Sequence, residues 1–64
     1  MFNDIIKTYE GTVKELIDSY NDRYAKACEA YKRGDIKNYN KNVSDMNQIT
    51  DLMNKMNSVM STLA

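Results

Sequence analysis

The side chains that most often carry chemistry are scarce in these 64 residues. There is no histidine, so the single cysteine, Cys28, has no base of the usual kind to activate it. The carboxylates Glu10, Glu15, Asp18 and Asp22 lie close together in the chain. Paired carboxylates can perform acid–base catalysis, but only where a pocket raises one pKa and leaves the other low. Here they fall on the polar side of a heptad pattern, the signature of a solvated helix face. One cysteine and no histidine also leave no zinc-type ligand set and no internal disulfide. The sequence reads as non-enzymatic, with no catalytic residue, no metal and no cofactor.

A second set of residues has the chemistry of recognition. Arg23, Lys26, Lys32, Arg33, Lys37 and Lys41 crowd into residues 23 to 41, against only Glu29 and Asp35. Tyr24, Tyr31 and Tyr39 stand among them, with Asn38, Asn40 and Asn42 nearby. Cations hold phosphates, aromatic faces stack bases and amides read their edges, so this segment is a candidate nucleotide or nucleic-acid site. The same residues have a structural reading. The tyrosines would cover a seam between helices, and the lysines would be solvated or offset a helix dipole. Nine basic and nine acidic side chains cancel, so no net field draws the chain to nucleic acid or anionic lipid.

The elements that position these residues are legible in the apolar spacing. Folding the chain back at Arg33-Gly34-Asp35 sets Tyr31 against Tyr39, Ala27 against Val43 and Tyr24 against Met46. Further out come Tyr20 with Ile49, Leu16 with Met53, Val13 with Met56, Tyr9 with Met60 and Ile6 with Leu63. The numbers of each pair add to 69 or 70, as an antiparallel helical hairpin requires. The fold class is therefore all-α, one hairpin domain spanning residues 1–64.

Helix 1 is expected from about Asn3 to Arg33, a turn at Gly34 and Asp35, and helix 2 from about Ile36 to Thr62. Asn3 and Asp35 suit N-caps, Gly34 suits the left-handed residue that closes a helix, and Lys32 and Arg33 suit a helix C-terminus. Phe2, Ile6, Tyr9, Val13, Leu16 and Tyr20 recur at steps of three and four, a heptad seam. Beyond Tyr20 the seam is expected to slip by one residue, to Tyr24, Ala27 and Tyr31, a stutter. Thr12-Val13-Lys14-Glu15 after Gly11 fits a capping box, yet the seam keeps phase there, so one continuous helix is expected.

In helix 2 the constant row is Tyr39, Met46, Met53 and Met60. It is flanked by Ile36 and Val43 near the turn, and by Ile49, Leu52, Met56, Val59 and Leu63 beyond. The methionines read as core filler, and Cys28 as a small buried apolar residue. Six asparagines, Asn38, Asn40, Asn42, Asn47, Asn54 and Asn57, are weak helix formers, so this helix must draw its helicity from packing. Asn42-Val43-Ser44 spells a glycosylation sequon but lies within the expected helix.

A lone domain of this size buries too little surface to be stable without support. Ile5, Ile17, Leu52 and Val59 flank the seam beyond what one partner helix covers, and they are the candidate self-association residues. Two hairpins joined there would make a four-helix bundle. In architecture alone this plan resembles small plasmid-borne RNA-modulating bundles. Asp4, Lys7, Glu10, Lys14 and Glu15 in the first sixteen residues exclude a signal peptide or spanning helix there, and with a free thiol they suggest a cytoplasmic protein without a membrane partner.

The expected function is that of a small interaction protein, a homo-oligomer of helical hairpins. It would act as a regulator, inhibitor or assembly factor on a protein partner, with nucleotide or nucleic-acid binding as the alternative. Stand-alone mini-proteins of this kind are common in phage and mobile elements, so a similar origin is expected.

Overall fold

A computed structural model describes the backbone of residues 2–63 and the side chains of residues 3–62. Helix α1 spans Phe2–Arg33 and helix α2 spans Ile36–Leu63, packed along their length as an all-α hairpin. The Cα envelope is 49 × 16 × 10 Å, two helices wide and one thick. The seam places expected for the Phe2 and Leu63 side chains lie outside the described residues.

Local chemistry closes α1. The Asp35 N–H donates to the Ala30 carbonyl at 2.8 Å, and the Gly34 N–H donates to the Tyr31 carbonyl at 3.1 Å. Gly34 sits at φ 72°, the left-handed geometry this Schellman closure needs and glycine adopts without penalty. The next residue opens α2. Asp35 Oδ1 accepts the Asn38 N–H at 3.2 Å, and the Asp35 carbonyl accepts the Tyr39 N–H at 3.0 Å, as an N-cap does. Turn and cap thus share two adjacent residues.

The seam runs straighter than its sequence suggests. Apart from Thr12, the half-buried or buried positions in α1 are Ile6, Tyr9, Val13, Leu16, Tyr20, Arg23, Ala27 and Ala30. Their steps alternate three and four without a break, so the expected stutter is absent from the described residues. Tyr24 and Tyr31, expected on the seam, are 58% and 69% exposed. In α2 the matching series is Tyr39, Asn42, Met46, Ile49, Met53, Met56 and Met60. The heptads then pair Arg23 with Met46, Ala27 with Asn42 and Ala30 with Tyr39, and every pair adds to 69.

The reason is steric. A two-residue turn holds the helix axes within about 8–10 Å, a distance that alanines fit and facing tyrosines do not. Ala27 and Ala30, at 5% and 1% exposure, are therefore the side chains pressed against α2. The seam place expected for Tyr24 goes to Arg23, whose stem lies along the groove while its Nε reaches Asp45 at 3.6 Å. Asn42 fills the place expected for Val43. It is buried, and its Nδ2 donates to the Asn38 carbonyl at 2.8 Å, so no donor is orphaned.

Other local expectations divide. Helix α1 is continuous through Gly11, and the Thr12 hydroxyl donates back to the Thr8 carbonyl at 2.9 Å instead of capping a new start. Helix α1 begins at Phe2, which leaves Asn3 inside the helix rather than capping it. Cys28 is exposed, not buried, because the seam turns to Ala27 and Ala30 on either side of it. Among the described residues no large apolar side chain is fully buried, and no helix is long and apolar enough to cross a membrane.

Two glycines test this account in opposite directions. Gly34→Val forces a β-branched residue into the left-handed region and should cost at least about 1 kcal/mol. Gly11 lies mid-helix, with nothing within 4 Å of an added Cβ, so Gly11→Ala should stabilise by about 0.5–1 kcal/mol. Thermal melts followed by circular dichroism at 222 nm should show the two midpoints moving apart around the parent.

Candidate functional site

A hairpin one helix thick has no interior to hold a site, so its recognition chemistry lies in the two grooves that flank the seam. The heptad steps sort the side chains between them. On one side, near the turn, Arg23, Lys26, Arg33 and Lys41 gather with Glu29 and Asn38. Further along the same groove Ser19, Asp45, Gln48 and Leu52 follow. At the open end Ile5 and Val59 flank Tyr9, Met56 and Met60 in a broad apolar hollow. This groove is charged at the turn and apolar at the open end.

The opposite groove runs the other way. Near the turn Tyr24, Tyr31, Tyr39, Val43 and Met46 form an aromatic hollow edged by Cys28 and Lys32. The Tyr31 and Tyr39 rings meet with centroids 5.8 Å apart at 55°, a tilted pair of the kind aromatic quadrupoles favour. Towards the open end Ile17, Tyr20, Thr50, Met53 and Asn54 continue it.

The nine candidate ligand-binding residues are therefore not brought to one place. Arg23, Lys26, Arg33 and Lys41 line the first groove, and Tyr24, Tyr31 and Tyr39 line the second with Lys32. Lys37 shares the outward row of Ser44 and Asp51, away from both. A base stacked on Tyr31 would have one cation within its own groove. Three of the four cations of the first groove also have acidic neighbours. Lys26 Nζ lies 3.1 Å from Asp22, Arg23 lies 3.6 Å from Asp45, and Arg33 lies 4.0 Å from Asp35. Pairs this exposed add little stability, but they lower the positive potential a phosphate would meet.

The four candidate self-association residues divide as well. Ile5, Leu52 and Val59 stand on the first groove and Ile17 on the second, all four exposed. Two side chains belong with Ile17, the exposed Ile36 and the half-buried Val43; the sequence pattern placed both on a flank of the α2 seam and also set Val43 against Ala27. Their signal was present in the spacing: Ile17, Tyr24 and Tyr31 recur every seven residues, as do Ile36, Val43 and Thr50. Glu10, Glu15, Asp18 and Asp22 are spread around the exposed surface of α1, and Asp22 is paired with Lys26. Among the described residues no three acidic, cysteine or histidine side chains converge as a metal site would need.

Comparison with known proteins finds no matching protein family, no matching curated protein and no matching solved structure.

A perturbed acid group stands at the turn. The Asn38 side-chain amide donates to Asp35 Oδ2 at 2.6 Å and holds the Asp35 carboxyl below its ordinary range. The Asn38 backbone N–H acts in the same sense, desolvation opposes both, and the Arg33 charge adds the weakest lowering effect. A carboxyl depressed by folding stabilises the hairpin above its unfolded pKa. That contribution is lost as pH falls through the lower folded value. Asp35→Asn keeps a cap acceptor without the charge. The melting temperature of the parent should drop more between pH 5 and pH 2 than that of the variant, and equal drops would exclude Asp35 as a contributor.

Proposed function

We propose that this chain is a small non-enzymatic interaction protein of the cytoplasm, a helical hairpin that completes its core by self-association and acts by binding another macromolecule. One observation carries the reading. The hairpin alone exposes 5149 Å², whereas a compact monomer of 7.4 kDa would expose roughly 4,200 Å². Exposed Ile5, Ile17, Tyr24, Tyr31, Ile36, Leu52 and Val59 account for apolar surface that a stable single domain would have turned inward. The excess, roughly 900 Å², is close to the 800 Å² or so that each partner gives to a standard interface.

Association also supplies the role. A bundle of two hairpins covers one groove from each copy and presents the other twice, a two-fold surface suited to a regulator, inhibitor or assembly factor that grips a protein partner. The split of tyrosines from cations removes the main support for a base-and-phosphate site, so the protein-partner reading is the stronger one.

Self-association makes stability depend on concentration by mass action. Sedimentation equilibrium on the purified chain should give a dimer or larger species at micromolar concentration. The melting temperature should rise across a hundredfold increase in concentration. A folded monomer with a concentration-independent melt would overturn the reading.

A further inference from the structure

The two grooves differ in more than their apolar ends. On the side of Ile17, Tyr24, Tyr31, Ile36 and Val43, the next row outward is Asn21 and Cys28 on α1 and Asn40, Asn47 and Asn54 on α2. From Ile17 to Tyr31, and from Ile36 to Asn57, this side carries no charged position in either row among the described residues. Its charged positions are Lys7, Glu10 and Lys14 at the open end and Lys32 on the rim beside the turn. The opposite side carries Glu15, Asp22, Lys26, Glu29, Arg33, Lys41, Asp45 and Lys55. A chain with 18 charged side chains has thus cleared most of one broad face of them.

We infer that this uncharged, tyrosine- and asparagine-bearing face is where a second copy of the chain docks, leaving the charged groove outward in the assembly. The inference rests on the self-association proposed above and names the face that performs it.

The argument for a second copy lies in the polar groups. A two-fold interface sets each patch against itself, so every polar group must find its complement in its own kind. Lysine and arginine only donate and carboxylates only accept, so each fails against its copy across a dyad. Asparagine amides, tyrosine hydroxyls and threonine hydroxyls both donate and accept, and can pair with their own copies. Every polar side chain on the cleared part of this face is of that kind, Cys28 being a weak donor and acceptor. The composition also matches interface cores, which are enriched in tyrosine and depleted of charge. The size agrees: the broad side of the hairpin is 49 by 16 Å, enough for the roughly 800 Å² per partner of a standard interface.

Cys28 lies on this face and is exposed in the single hairpin, so it reports on the docking without any mutation. Maleimide labelling of the parent should be fast at concentrations where sedimentation finds monomer and at least about tenfold slower where it finds dimer. A control carrying Cys28→Ser and Ser44→Cys moves the thiol to the outward row, and its labelling should not depend on concentration. Tyr24→Glu and Val43→Glu place a charge against its own copy and should weaken association by about a hundredfold or more. Leu52→Glu, on the opposite groove, should leave it within about threefold.

Association with Cys28 labelled equally fast in monomer and dimer would overturn the assignment of the face while preserving self-association. Loss of association in Leu52→Glu but not in Tyr24→Glu would do the same. A parent that stays monomeric at every concentration overturns the self-association itself. If the glutamate variants fail to fold, the labelling of the unaltered chain decides.

Discussion

The two-residue connection at Gly34 and Asp35 governs everything else in this hairpin. Asp35 donates back to Ala30 with its N–H and, with its side chain and carbonyl, accepts the first amides of α2. No loop separates the helices, so their relative rotation and register are set where one ends and the other begins. From there each heptad step on α1 must meet the matching step on α2, and the constant sum of facing residue numbers follows out to the open end. The left-handed φ at Gly34 makes so tight a reversal possible.

Tightness at the turn decides which side chains enter the seam. Helices held that close admit Ala27 and Ala30 on one side and Tyr39 and Asn42 on the other. The bulky Tyr24 and Tyr31 are turned out onto one flank, where Tyr31 still meets the ring of Tyr39. Further out the pairs grow larger, with tyrosines, leucine and methionines, yet two helices leave each of these half exposed. The seam gives the hairpin its shape but buries little, which makes the flanking faces part of the energetics rather than mere surface.

The two faces have opposite characters, and that difference gives the molecule direction. One flank gathers ion pairs near the turn, with Arg23 to Asp45 crossing between helices and Lys26 to Asp22 within α1. The other gathers aromatic, aliphatic and amide side chains whose hydrogen-bonding groups are self-complementary. On the proposed reading, the self-complementary face meets its own kind and the charged face is left for a different partner.

The sequence by itself determined the local and periodic features: two helices, the turn at Gly34, the cap at Asp35, continuity across Gly11, and the outer pairs from Tyr20 with Ile49 to Tyr9 with Met60. Each depends on backbone preference or on a repeat of seven, both readable along one strand of text. Only the tertiary structure decided which of two neighbouring registers the turn half would take. A shift of one residue rotates a side chain by about 100° around its helix, and the apolar pattern near the turn, with tyrosines at 24 and 31 and alanines at 27 and 30, accepts either choice. The choice falls to the space between two backbones, which excludes two facing tyrosines and accepts an alanine against a tyrosine. Arg23 and Asn42 therefore lie on the seam despite their polarity, while Tyr24 and Val43 move to the flank. That one rotation also carried the tyrosines and most of the cations to opposite faces. Residues adjacent in the chain could not reveal it, because the separation exists only once a second helix lies alongside the first.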